Sequence, residues 1–473
     1  MKQPHFHRIG TLFRTRALIA ACAGLMLIGM PQTGRAAETT PAGLMKIRHV
    51  VVIYQENWSF DALYGHFPGA NGIAHAKSFT QVDVKGRPYK VMPRPWNRGG
   101  FDMRFPARMP VAPYDLRKYI RPDERTGDLV HRFYTEQQQI DGGRMDGFMA
   151  WSDNPGLVMS YFDATDMPEG RLAQQYVLAD NFFHAAFGGS FLNHMFLICA
   201  CAPRFPHAPG PMVARLDKNG MPTPDARPGH SSSGDGAVTP DGYVVNTAFS
   251  VNQPHPAHVP ASYLVPEQTM PTIGDRLSER GISWAWYSGG WDDALAGHPD
   301  PLFQFHHQPF AYFADLADGT AAKAEHLKDE KDFMAAIKQG TLPAVAFVKP
   351  LGPDNEHPGY AALTRGQRHV AAIVDAIRHS PLWKSTAIII TYDEHGGRWD
   401  HVAPPIVDRW GPGSRVPAII VSPYAKRHFI DHTEYDTTSI LRFIESRWDL
   451  KPLTARDAHA HNLLNAFDFS QQP

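Results

Sequence analysis

Ala387-Ile388-Ile389-Ile390-Thr391-Tyr392-Asp393-Glu394-His395 compresses the organisation of this chain into nine residues. Four apolar residues in succession, three of them isoleucine, leave no polar face. β-branched side chains favour extended backbone, so the run reads as a strand covered on both sides, as in a parallel sheet. Two carboxylates and an imidazole come directly after it. Open parallel sheets bind their ligands beyond the carboxyl ends of the strands, and this is where those groups fall.

The same pattern recurs along the chain. Val50-Val51-Val52-Ile53 runs into Gln55-Glu56-Asn57, and Ala344–Val348 is followed by Asp354-Asn355-Glu356-His357. Ile282–Trp286 and Val416–Val421 supply two further apolar runs. Helical spacing lies between them. Val370, Ile373, Val374 and Ile377 follow Gly366 at i, i+3, i+4, i+7, while Thr437, Thr438 and Ser439 can cap a helix whose face is Ile440, Leu441, Ile444 and Trp448. Alternation of this kind predicts an open, doubly wound α/β architecture: a mostly parallel sheet with helices on both faces. Residues 80–125 and 203–271 are rich in Pro and Gly and lack periodicity, so they are expected to be long insertions that wall a site.

Bulk properties narrow the function. A chain of 473 residues can bury a large core, and its net charge of −1 with dispersed signs predicts neither a nucleic-acid footprint nor a basic membrane-binding face. Twenty-five histidines against 46 Lys plus Arg invite a metal or phosphate chemistry. At the N-terminus, Arg8, Arg14 and Arg16 precede the apolar run from Ala17 to Met30, and Gly34-Arg35-Ala36-Ala37 ends in small residues. That order predicts a secretory signal over residues 1–37 and a catalytic domain over 38–473, in the periplasm or secreted, without a stable membrane span. No Arg-Arg pair marks the twin-arginine route. Cys199 and Cys201 stand two apart, a spacing that points side chains to opposite sides of a helix, so no bridge is expected between them.

One carboxylate after one strand reads as a solvated loop charge or a helix cap; three coincident strand ends reverse that preference. Oxygen and imidazole ligands together suit a hard or borderline divalent metal ion. A nucleophile is offered by Phe187-Gly188-Gly189-Ser190, where the glycines allow a tight turn and Ser190 would open the apolar helix 191–200. A serine there is more often a plain helix cap. No glycine stands two residues after Ser190, so the nucleophile elbow of carboxylesterases is not matched. Cys201-Ala202-Pro203-Arg204 lacks the serine of the sulfatase maturation motif. His306-His307, in aromatic surroundings, and His131 are equally readable as structural or active-site histidines.

Gln55-Glu56-Asn57-Trp58-Ser59-Phe60 resembles the opening motif of the bacterial phosphoesterase family, which holds acid phosphatases and phosphatidylcholine-type phospholipases C. Thr391–Gly397, then Asp400-His401-Val402 and Pro404-Pro405, resembles its second metal motif, and the likeness continues through Arg415-Val416-Pro417 and Tyr435–Ser439. The resemblance implies an alkaline-phosphatase-like fold. It implies that Glu56, Asn57, Asp393 and Glu394 bind the metal, that Ser190 touches it and attacks phosphorus, and that His131, His306, His307 and His357 line the phosphoryl pocket. His357 could then protonate the leaving alcohol. The segments around Ser190 and His306-His307 look closer to the acid phosphatases, and the chain ends about 25 residues after its last core helix, without space for the C-terminal β-modules of the large phospholipases. The expectation is an acid phosphatase that cleaves phosphomonoesters best below neutral pH; the alternative is a phospholipase C acting on phosphodiesters.

Overall fold

The computed structural model describes residues 42–97, 99–222 and 234–473; the expected signal segment lies outside them. Pro41–Pro473 forms one compact unit. At its centre is a sheet of eight strands, here β1 (His49–Gln55), β2 (Val177–Ala179), β3 (Trp284–Ser288), β4 (Leu327–Asp329), β5 (Val345–Lys349), β6 (Thr386–Tyr392), β7 (Ala418–Val421) and β8 (Phe429–Asp431). Their spatial order is β4-β3-β5-β1-β6-β7-β2-β8. Residues Val50–Gln55 and the whole of β6 are buried, which confirms strands covered on both faces.

Helices pack in two groups, one to each side. Pro168–Gln175 and Glu330–Gln339 both contact α1 (Leu363–Arg378), while α2 (Ser190–Cys199) packs with Ile273–Glu279 and with α3 (Thr438–Trp448). The helix α1 begins at Leu363, so Gly366 lies inside it rather than ahead of it. A Cβ at Gly366 would stand 2.2 Å from Cγ of Glu356, so the small residue lets the helix close on the strand-end loop.

Two sequence expectations need correction. The run at 418–421 is a strand but not a parallel one: β6 pairs with β7 antiparallel, and β7 with β2 antiparallel, so the sheet is mixed. The connection from β6 to β7 contains no crossover helix, and a parallel neighbour would need one. The second correction is a Cys199–Cys201 disulfide. The argument against it assumed both residues in one helix, but α2 ends at Cys199 and Ala200 adopts the left-handed conformation, which swings Cys201 back.

The register explains where the chemistry collects. Ile53 of β1 lies between Val348 of β5 and Ile390 of β6, so these three strands end side by side. Beyond them the backbone stays joined: Glu56 N donates to Asn355 O at 3.0 Å and Asp393 N to Gln55 O at 3.0 Å.

Candidate active site

Ser190 is delivered by the turn into α2. Gly188 has φ +90°, and a Cβ on it would lie 2.4 Å from the backbone nitrogen of Phe133, so the turn can press against residues 131–133 only with glycine there. Gly189 occupies the capping position and Ser190 is the first helical residue. The cap is thus a glycine, and Ser190 is not the capping residue. It is 5% exposed, and its hydroxyl interacts with the Asp393 carboxyl.

Around Ser190 stand the four oxygen-bearing residues expected to hold a cation. Glu56, Asn57, Asp393 and Glu394 are at most 1% exposed. Asn57 Oδ1, Asp393 Oδ2 and Glu394 Oε1 are buried without a well-formed hydrogen bond from any described residue. Orphaned acceptors of this kind are costly unless a cation or donor meets them. Burial, and then the neighbouring Asp393 charge, pushes Glu394 well above the usual carboxylate range; burial likewise raises Asp393, with Lys349 opposing and Glu56 adding to it. The carboxyls repel one another in a water-poor site, and a hard divalent cation is the partner that would let them ionise together. The donor set therefore fits a divalent ion.

Glu56 behaves differently. Burial alone would raise it, but His307 and Lys349 outweigh that and hold it well below its ordinary range. His307 Nε2 and Lys349 Nζ are each 2.6 Å from Glu56 Oε1. Lys349 closes β5 and is 1% exposed. Its role is not legible in the sequence, because a lysine after an apolar run looks like a strand reaching solvent.

The four expected histidines converge on the same place. His131 Nε2 is 3.4 Å from Asn57 Nδ2 and 3.7 Å from Glu394 Oε1, and His357 Nε2 is 3.8 Å from Glu56 Oε2. The His131 and His357 rings are 5.6 Å apart, and those of His306 and His307 are 4.5 Å apart. Together with Ser190 and Tyr360 they line a polar cavity of about 490 Å³. Burial lowers His131 and His306, and brings His307 down to about 4 despite the raising effect of Glu56. Burial thus disfavours the imidazolium form of these three rings. His131 Nδ1 and His357 Nδ1 each donate to a backbone carbonyl, of Leu129 at 2.6 Å and Pro358 at 2.5 Å. In the neutral form, Nε2 of each is therefore an acceptor.

Other polar residues expected near the site support it from behind. Glu356 points away, accepting from Tyr392 Oη at 2.6 Å and Gln55 Nε2 at 3.1 Å. Asp354 pairs with Arg365. Asp400 is held by Arg415 Nε at 2.9 Å and His401 by Asp61 at 2.6 Å, so this part of the second motif builds a buried ion cluster and not the pocket.

Glu136 carries no signal in the sequence either. This fully buried residue accepts from Gly188 N at 2.6 Å, Ser414 N at 2.9 Å and His184 Nε2 at 2.9 Å, with His395 Nε2 at 3.4 Å. Its carboxylate ties the serine turn to the residue next to Glu394. His184, His395 and Glu136 are among the groups able to gather round a cation, but here Glu136 is already met by His184 and two backbone N–H groups, while His395 Nε2 has no hydrogen bond from the described residues.

Comparison with known proteins gives a consistent result. Residues 47–451 match the phosphoesterase family. A non-hemolytic phospholipase C of Pseudomonas aeruginosa is 24% identical over 93% of this chain and 60% of its own length. Phospholipase C B of Mycobacterium tuberculosis is 24% identical over 98% of this chain and 86% of its own length. The chain thus spans 60% of the length of the first of these relatives. Among solved structures, a phosphonate monoester hydrolase of Agrobacterium radiobacter is 10% identical, covering 90% of this chain and 78% of its own, with a TM-score of 0.36. These names fit the phospholipase C alternative better than the acid phosphatase expectation.

Proposed function

Because the chain belongs to the phosphoesterase family, we propose that it hydrolyses phosphoric esters, that Ser190 is its nucleophile and that phospholipid-type phosphodiesters are its substrates. One observation carries the mechanism: the Ser190 hydroxyl lies against Asp393, beside Asn57, Asp393 and Glu394 oxygens that are buried without a hydrogen bond. Glu56, Asn57, Asp393 and Glu394 would hold a divalent ion, which would supply Lewis-acid charge to the serine and phosphoryl oxygens. Ser190 Oγ attacks phosphorus, the P–O bond to the alcohol breaks and the alcohol departs with a proton, and water then cleaves the phosphoseryl bond, releasing the phosphomonoester that retains the second ester group.

The histidines surround the group being transferred. His357, its ring fixed by the Nδ1 bond to Pro358 O, is assigned the protonation of the leaving alcohol from its imidazolium form. His306 and His307 line the pocket, and His307 and Lys349 together hold Glu56 ionised. The expected leader at 1–37 supports export to the periplasm or beyond, and the Cys199–Cys201 bond suits an oxidising compartment. No helix among the described residues is long and apolar enough to cross a membrane.

Initial rates on phosphatidylcholine and on a chromogenic phosphomonoester, at equal enzyme concentration across pH, test the substrate class. Preference for the phosphodiester is expected. A higher kcat/KM on the monoester would return the protein to the acid phosphatase reading and leave the Ser190 role standing.

A further inference from the structure

A second, larger cavity of about 820 Å³ adjoins the catalytic pocket. Two chain segments walk from one to the other. His131 faces the catalytic pocket and Arg132 faces both; Asn246 faces the catalytic pocket, Thr247 both, and Phe249 only the larger cavity. Described residues of the 203–271 insertion line the larger cavity, with Met212, Val213, Ala237, Phe249, Val259 and Tyr263 giving it mostly apolar walls.

Charge changes at the junction. Arg132 Nε donates to the carbonyl oxygen of Asp235 at 3.0 Å, and Nη2 donates to the same oxygen. The Asp235 carboxylate is turned elsewhere: Oδ2 accepts from Thr135 N at 2.8 Å and Tyr134 N at 3.1 Å, and Oδ1 from Asn246 Nδ2 at 2.8 Å. A carbonyl dipole orients a guanidinium without cancelling its charge. The protein thus presents a polar phosphoryl pocket, then a cation, then an apolar chamber. A molecule matching that sequence carries a phosphate joined to an apolar alcohol.

We propose that the chamber receives the apolar alcohol portion of the substrate, with Arg132 at the ester junction. The proposal rests on the reading of the chain as a phosphoester hydrolase. It assigns the insertion the task of selecting the leaving group.

The test measures kcat/KM for the butyl and decyl esters of phosphocholine, and for butyl and decyl phosphate, below micellar concentration. Ala237→Trp fills the chamber from a residue that does not line the catalytic pocket, and Phe249→Ala enlarges it. Wild type should favour decyl over butyl at least about tenfold in the ester class it cleaves, since buried methylenes are favourable. Ala237→Trp should lower the decyl rate about tenfold or more while holding the butyl rate within about twofold, and Phe249→Ala should leave the butyl rate unchanged and shift chain-length preference. A wild type blind to chain length overturns the proposal, as does an equal change of both esters in a folded variant. Cleavage of the phosphate pair alone refutes the diester reading and leaves the chamber to be judged on that pair. Cleavage of neither pair overturns both.

Discussion

Replacing Glu136 by glutamine should weaken the fold and the catalyst together. The carboxylate is fully buried and accepts four hydrogen bonds at 2.6 to 3.1 Å, from Gly188 N, Ser414 N, His184 Nε2 and Ser414 Oγ. Glutamine keeps the volume, yet it puts an amide donor where one acceptor oxygen faced an N–H. Breaking one side of a buried charged network costs about 3–5 kcal/mol. An independent route gives a similar figure. Burial would raise Glu136, but the His184 and His395 rings and the Gly188 N–H outweigh it and bring the carboxyl from 4.5 to about 2. A folded pKa lowered by about 2.5 units corresponds to roughly 3 kcal/mol of stability. That stability is present above pH 4.5 and is lost as pH falls through the folded value. The difference between wild type and Glu136→Gln should therefore be roughly 3 kcal/mol at pH 7 and smaller by about 2 kcal/mol at pH 3. Chemical denaturation at both pH values reads it directly. With Gly188 N–H unpaired, the serine turn loosens, so kcat should fall more than KM rises. A variant within about 1 kcal/mol of wild type at pH 7, or a gap that does not narrow in acid, would refute the reasoning.

Glu445→Gln should instead stabilise the protein. Both Glu445 carboxyl oxygens are buried without a hydrogen bond from the described residues, and burial, aided by Asp457, raises the group from 4.5 to about 9. The folded state then holds a proton that the unfolded state releases, so stability falls as pH rises between those values; at pH 7 the variant should gain up to about 3 kcal/mol, shrinking towards pH 4.5 in thermal unfolding. Chelation should abolish phosphoester hydrolysis, and Asp393→Asn should lower bound metal, measured by elemental analysis, together with the rate; full activity in a chelated sample would contradict the cation site.

Much of the fold was legible because buried strands advertise themselves. Val50–Ile53, Ala344–Val348 and Ala387–Ile390 are apolar without interruption, and the loops at the carboxyl ends of strands in an α/β sheet form the binding edge. Strand direction was less legible: Val416–Val421 has the same composition as its parallel neighbours, and only the path of the chain between β6 and β7 makes it antiparallel. Short strands such as Val177–Ala179 carry too few residues for periodicity to register. At the site, carboxylates next to strand ends were readable, whereas their weights were not. Glu356 and Asp400 look like Asp393 in sequence, yet one is satisfied by Tyr392 and Gln55 and the other by Arg415. Lys349 and Glu136 were invisible for the converse reason, since their roles come from partners 293 and 48 positions away: Glu56 for the lysine, His184 for the glutamate. His131, His306, His307 and His357 line one cavity in the structure, but how strongly burial acts on them is a property of the fold and not of a dipeptide.

The central claim is that phosphorus passes through Ser190. It is tested most directly by acid-quenching the enzyme during turnover of a phosphoester and mapping the trapped phosphoryl adduct by peptide mass spectrometry. A phosphoryl adduct on the peptide containing Ser190 (phosphocholine from a phosphocholine diester, phosphate from a monoester), absent from Ser190→Ala, is the expected result. An unmodified Ser190 during turnover, with Ser190→Ala still hydrolysing the ester at a near-normal rate, would contradict it.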